Sequence, residues 1–157
     1  MASDSTLPDA AWNRHANPLS GWSRLAATPV LFYALYARRW RLFLGTLAFL
    51  AVNPVLFPEP ESTEGFMHDV VRAEEWWLGE GRPLFGTGYP EVLNVATTAG
   101  TVLALLSAVR RRPLGTLVGT AILIVGKLSF VAALVGAYRH SQADLGTQTA
   151  EPAQDSS

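Results

Sequence analysis

Lys127 is the only lysine in the chain, and it stands near the middle of an apolar stretch, residues 114–138 (LGTLVGTAILIVGKLSFVAALVGAY). A cation at the centre of a bilayer costs about 3 kcal/mol on insertion scales, so its presence calls for a reason. Three are open. The amine can be neutral or paired with a carboxylate as structural glue; it can line a wet cavity that handles an ion or anion; or it can bind a lipid or a partner subunit. A second group of chemistry-bearing residues is His68-Asp69 with Glu74-Glu75, which could be drawn as an acid–base or metal cluster. At helical spacing His68, Arg72 and Glu75 share one face while Glu74 points elsewhere. The plainer reading is an outward charge network at i, i+3 and i+4.

Other chemistry is excluded. The chain has no cysteine, so disulfides, thiolate metal sites and cysteine nucleophiles are ruled out. The nucleophile elbow, P-loop, dinucleotide glycine fingerprint and HExxH signature are all missing. No residue is assigned a catalytic role, and no metal or cofactor is implied. A net charge of −1 gives no reason to expect nucleic acid.

The elements that must position these groups follow from where the charges lie. Only 16% of the 157 residues are charged, and they collect between four apolar blocks. Residues 1–10 are polar, lack a cleavable signal pattern and read as disordered. Residues 11–24 (AWNRHANPLSGWSR) read as an interfacial entry, with Trp12 and Trp22 at headgroup level around an Asn17-Pro18 turn. Arg14 and His15 are candidate headgroup or ligand contacts there. Spans are expected at about 22–37, 42–57, 92–109 and 114–138. The first is short for a bilayer, with Pro29 in its opening turns. Asn53-Pro54 should kink or end the second.

Two short basic connections, Arg38-Arg39-Trp40-Arg41 and Arg110-Arg111-Arg112-Pro113, join the blocks as helical hairpins. Residues 58–90 form a long acidic connection, with seven acidic residues against two basic ones. Within it, residues 65–79 carry an apolar stripe of Phe66, Val70, Ala73 and Trp77, which predicts an amphipathic helix on the membrane or over the bundle mouth. Glu74 breaks that helix's apolar arc. The tail 140–157 has no apolar run and reads as disordered. The expected fold is therefore all-α, a four-helix membrane bundle with an interfacial fifth helix. The basic loops 38–41 and 110–113 belong in the cytoplasm by the positive-inside rule, with both termini and 58–90 external, in a cell membrane.

Between the spans, Gly115, Gly119 and Gly126 form a small-residue arc suited to close helix packing. Thr116, Thr120 and Lys127 lie beside it. With Asn94, Thr98 and Thr101 on the third span and Asn53 on the second, they predict a thinly polar interhelical seam around the lysine.

The string Trp12-Asn13-Arg14-His15-Ala16-Asn17-Pro18 with Ser20-Gly21-Trp22, Asn53-Pro54 before Phe57-Pro58, and Gly126-Lys127-Leu128 carry a resemblance. Together they resemble a family of small multi-pass membrane proteins built around a domain of unknown function. The resemblance spans residues 12–139 and implies a class without a mechanism. In that family the last helix continues with aromatic and charged residues, whereas Ser129-Phe130-Val131-Ala132 here is plainer.

The leading functional expectation is a non-enzymatic integral membrane protein acting through helix–helix, lipid or partner-subunit contacts, with the bilayer as its medium and a homo-oligomer as one possible form. A small oligomeric transporter or channel-like protein with Lys127 in the seam is the alternative. A membrane enzyme acting on lipid headgroups through His68, Asp69 or Glu74 is the third.

Overall fold

The computed structural model describes residues 18–57 and 65–150. Trp12, Arg14, His15 and Asn17, the opening of the acidic connection and the last seven residues lie outside the described residues. Five helices follow in order: α1 (Pro18–Tyr36), α2 (Trp40–Leu56), α3 (Phe66–Gly79), α4 (Glu91–Val109) and α5 (Pro113–Ala150). No strand occurs among the described residues. The all-helical class is as expected, and α4 and α5 are long and apolar enough to cross a membrane; α2 is a shorter apolar helix over Trp40–Asn53.

Three helix ends differ from the sequence reading. α1 begins at Pro18, where the missing proline N–H falls among the donors that have no intrahelical partner anyway. Trp22 is thus inside α1, and Pro29 stands mid-helix, leaving the Leu25 carbonyl without its usual donor. α2 ends at Leu56, close to the expected bound of 57, but does not stop at Asn53-Pro54. α5 continues through residues 140–150, where an irregular tail was expected. Extending an existing helix needs no new nucleus, so polar residues propagate it. The next proline after Pro113 is Pro152.

The two basic turns are built alike. After α1, the Arg39 N–H bonds the Ala34 carbonyl and the Arg38 N–H bonds that of Leu35. After α4, the Arg112 N–H bonds Ser107 and the Arg111 N–H bonds Ala108. Both are Schellman caps, with an arginine at the left-handed position (Arg38 φ 56°, Arg111 φ 53°) where glycine is usual. Arg38 Nη2 donates to the Val109 carbonyl at 2.8 Å, so one turn caps the neighbouring helix and both lie at the same end of the bundle.

α4 and α5 form the tightest pair. A Cβ at Gly100 would sit 2.7 Å from the Leu123 nitrogen and 2.9 Å from the Gly119 carbonyl oxygen. One at Gly126 would sit 2.6 Å from Thr97 Oγ1, and one at Gly119 would strike the Ala104 backbone. The glycine arc of α5 is therefore consumed within the chain, by α4, and does not present a free face to a second copy.

α3 packs on the middle of α5. Val70, Ala73 and Trp77 share a buried cluster with Phe130, Val131, Leu134 and Val135. One edge of α3 meets the far part of α5, through Asp69 with Arg139 and Trp76 with Tyr138. Another edge carries Glu74 to Lys127. Those contacts lie eleven or twelve residues apart along α5, about 17 Å. α3 thus lies across α5 rather than alongside it.

Candidate functional site

The site is built where α1, α3 and α5 meet. Lys127 Nζ lies 3.2 Å from Glu74 Oε1 and 5.6 Å from the centroid of the Phe130 ring. Glu74, the residue that breaks the apolar arc of α3, thus breaks it towards the one lysine of α5. The pair lines a cavity of about 290 Å³. Arg24 and Thr28 line it from α1, and Leu123, Leu128 and Val131 supply apolar wall from α5. Arg24 is close enough to Glu74 to feel its charge. The cavity therefore brings together two basic side chains and one carboxylate above an apolar floor.

Depth follows from the α4 register. Gly126 packs against Thr97, six residues along α4 from Glu91. At about 1.5 Å per residue Lys127 lies about 9 Å in from the start of α4, nearer the α3 end than the middle of the bundle. Position within its own apolar segment placed it centrally; the segment overshoots its partner helix, and that explains the difference.

The expected polar seam does not assemble around the lysine. Thr116 and Thr120 are buried, but their hydroxyls donate to the Arg112 and Thr116 carbonyls of their own helix at 2.9 and 2.7 Å. Thr98 and Thr101 do the same to Asn94 and Thr97. A hydroxyl bonded to its own i−4 carbonyl needs no partner across an interface. Asn94 Nδ2 donates to the Leu84 carbonyl and so pins the 80–90 connection onto α4.

Asn53 belongs to another region altogether. It is fully buried, accepting from Ser20 Oγ at 2.6 Å and donating to Ser23 Oγ at 2.9 Å, and it ties the end of α2 to the start of α1.

The four external-loop candidates also separate. Asp69 pairs with Arg139, Glu74 with Lys127, and Glu75 with Arg72 at 3.1 Å on the outward face. Among the described residues His68 Nδ1 is buried without a hydrogen-bond partner, as is Glu91 Oε2. No three His, Asp or Glu side chains converge as metal ligands among the described residues. The arrangement offers charge complementarity and an apolar wall.

Arg24 and Thr28 are the residues that sequence reasoning missed. Gly21, Arg24, Leu25 and Thr28 recur at i, i+3, i+4 and i+7, the spacing of one helical face. Reading residues 11–24 as an entry segment hid that face, because it cut the helix in two. Arg82, also unremarked, lies 4.7 Å from the Trp76 ring and 5.0 Å from the Trp77 ring, while Trp77 Nε1 donates to the Pro83 carbonyl. These contacts lock the end of α3.

No curated protein and no solved structure matches the chain. A family model does match, over residues 1–155, which is nearly the whole sequence. That match places the chain in the DUF6653 family, a family of unknown function.

Proposed function

We propose that this chain is a multi-pass membrane protein that binds an acidic amphiphile, a molecule with an anionic head and an apolar tail, in the cavity between α1, α3 and α5. The observation that carries the reading is the pairing of Lys127 with Glu74 beside Arg24 at the rim of an apolar cavity. Basic side chains exceed carboxylates there by one, so an anionic head fits and a cationic one does not. The apolar wall from Leu123 to Val131 suits a tail.

Membrane residence is supported by where the apolar surface points. Only 22% of the apolar window of α4 and 33% of that of α5 is buried inside the chain, whereas the core helix of a soluble protein is mostly covered. Leu44, Leu47 and Val52 on α2, and Leu117, Val118 and Val125 on α5, are exposed as well. In this reading α1, α2, α4 and α5 all cross, the two arginine turns face the cytoplasm and α3 lies at the outer interface. The reading is of a binding protein and not of an enzyme.

The absence of cysteine gives a clean test. Thr28→Cys places a single thiol in the cavity wall. In membrane vesicles it should react with a water-soluble maleimide, and dodecyl phosphate should protect it while dodecyltrimethylammonium does not. A folded protein that is not labelled, or that both amphiphiles protect equally, would sink the proposal.

A further inference from the structure

The opposite end of the bundle holds a second candidate, independent of the cavity. Arg38, Arg39, Arg41, Arg110, Arg111 and Arg112 are gathered there by two short turns, which the bond from Arg38 to the Val109 carbonyl holds side by side. Five of the six are exposed, Arg38 being half-buried. None of them enters an ion pair among the described residues, whereas Arg72, Arg82, Lys127 and Arg139 each do. Sequence explains why: no Asp or Glu occurs between Asp9 and Glu59 or between Glu91 and Asp144. The carboxylates that α3 and its flanks supply are at the other end. α2 and α5 both begin at this end with no acidic residue in their first turns, so nothing offsets the positive ends of their dipoles.

Six arginines with no carboxylate partner among the described residues call for an anionic partner, and the surface beside them selects its class. Directly adjoining the turns is an apolar collar: Leu114 is 76% exposed, and Leu42, Val109 and Leu117 are exposed too. Trp40, 51% exposed, follows Arg39 and precedes Arg41 in the chain, with the Arg38 guanidinium 5.6 Å from its ring. A soluble acidic protein or nucleic acid has no use for a ring of exposed leucines. A bilayer does, since it presents phosphate above hydrocarbon, and tryptophan settles at that boundary. Guanidinium groups engage phosphate oxygens in pairs, which favours arginine over lysine for this contact.

We propose that the paired arginine turns form a docking surface for the headgroups of anionic phospholipids in the leaflet they face. This rests on the chain being a membrane protein but not on the cavity having a ligand. Phospholipid touching the protein is drawn from the bilayer by this surface, so that phosphatidylglycerol accumulates around it at the expense of phosphatidylcholine.

The test reconstitutes the full chain into phosphatidylcholine vesicles containing about 30 mol% phosphatidylglycerol, and measures by electron spin resonance how strongly spin-labelled forms of each lipid associate with it. Wild type should favour phosphatidylglycerol by about fivefold or more, the worth of one surface arginine. The preference should collapse at about 1 M salt, where the Debye length is about 3 Å. The quadruple variant R39Q/R41Q/R110Q/R112Q keeps Arg38 as a helix cap and Arg111 in its turn, and it should lose most of the preference. Arg72→Gln, which removes an exposed arginine at the other end of the bundle and outside the cavity, should keep it in full. Equal association of the two lipids with wild type, a preference indifferent to salt, or a folded quadruple variant that retains it would each overturn the proposal. Should the quadruple variant misfold, the wild-type salt series still decides. A wild type that does not enter vesicles at all would overturn the membrane reading beneath it.

Discussion

The two hairpins of this molecule turn in the same way and hold together in different ways. α1–α2 and α4–α5 both use a Schellman cap with a left-handed arginine, followed by a helix that starts within two residues. Past the turn the resemblance ends. α4–α5 closes by removing side chains: Gly100, Gly119 and Gly126 let backbones touch, and Ala104 and Ser107 fill what remains. α1–α2 closes at its far end by adding polar ones, with Asn53 held by Ser20 and Ser23. Packing by shape tolerates no added atom, whereas packing by hydrogen bond tolerates no lost partner. The contrast predicts which substitutions each hairpin can bear.

The largest effect should come from Gly119→Leu. Its Cβ alone would meet the Ala104 backbone, which belongs to a helix and cannot give way as a flexible side chain could. Overpacking in a close core costs about 1–3 kcal/mol or more, and here the helix pair itself must separate. The variant should lose its sharp size-exclusion peak in detergent and melt well below wild type. Gly45→Leu, on α2 with open space around its Cβ, should do neither. If both variants behave alike, close approach is not what holds α4 to α5.

A smaller loss should follow Asn53→Leu, which keeps the branched shape and the number of side-chain heavy atoms and removes both hydrogen bonds. It leaves the Ser20 hydroxyl, itself buried, without an acceptor, at a cost of about 1–3 kcal/mol. Removing the serines as well should recover part of this, because an unmet buried group costs more than an absent one. A thermal-melt cycle over Asn53→Leu, Ser20→Ala and the double variant checks it. Additive losses would show that Asn53 acts by packing alone.

The same contrast explains how far the sequence could be read. The hairpins were legible because apolar blocks with basic tips allow little else, and the glycine arc was legible because small residues at helical spacing mark a packing face. That α4 is what covers the arc was not legible, since spacing names a face and never its neighbour. The polar seam failed for a related reason. Threonine can satisfy its single donor on its own helix, and Thr98, Thr116 and Thr120 do so, whereas an asparagine amide has two donors and an acceptor to place. Asn53 and Asn94 accordingly found partners elsewhere, on α1 and at the Leu84 carbonyl. Glu74 gave the clearest signal, a carboxylate in an apolar arc, but pairing it with Lys127 needed the transverse lie of α3, which depends on tertiary contacts such as Asp69 with Arg139. Arg24 was hidden by a misplaced helix start. Charge and periodicity thus located the groups that needed partners, and only the fold could choose the partners.

The smallest effect distinguishes the two turns themselves. A non-glycine residue in the left-handed region is strained by about 1–2 kcal/mol, which glycine avoids. Arg111 makes no side-chain hydrogen bond, ion pair or ring contact among the described residues, so Arg111→Gly should stabilise the protein by about 0.5–1 kcal/mol. Arg38→Gly gains the same relief but gives up the bond to the Val109 carbonyl, one of the last acceptors of α4, together with its contact to Trp40. A hydrogen bond from a charged donor contributes about 1.5–3 kcal/mol when well shielded and less at an exposed turn, so the two terms should nearly cancel or the loss prevail. The expected order of melting temperatures is Arg111→Gly above wild type and Arg38→Gly at or below it. Equal stabilisation by both would mean that Arg38 does not cap α4, and the two hairpins would then be joined at this end by nothing but proximity. The reverse order would place the structural arginine in the second turn, and the six charges could no longer be treated as one surface with a single fixed member.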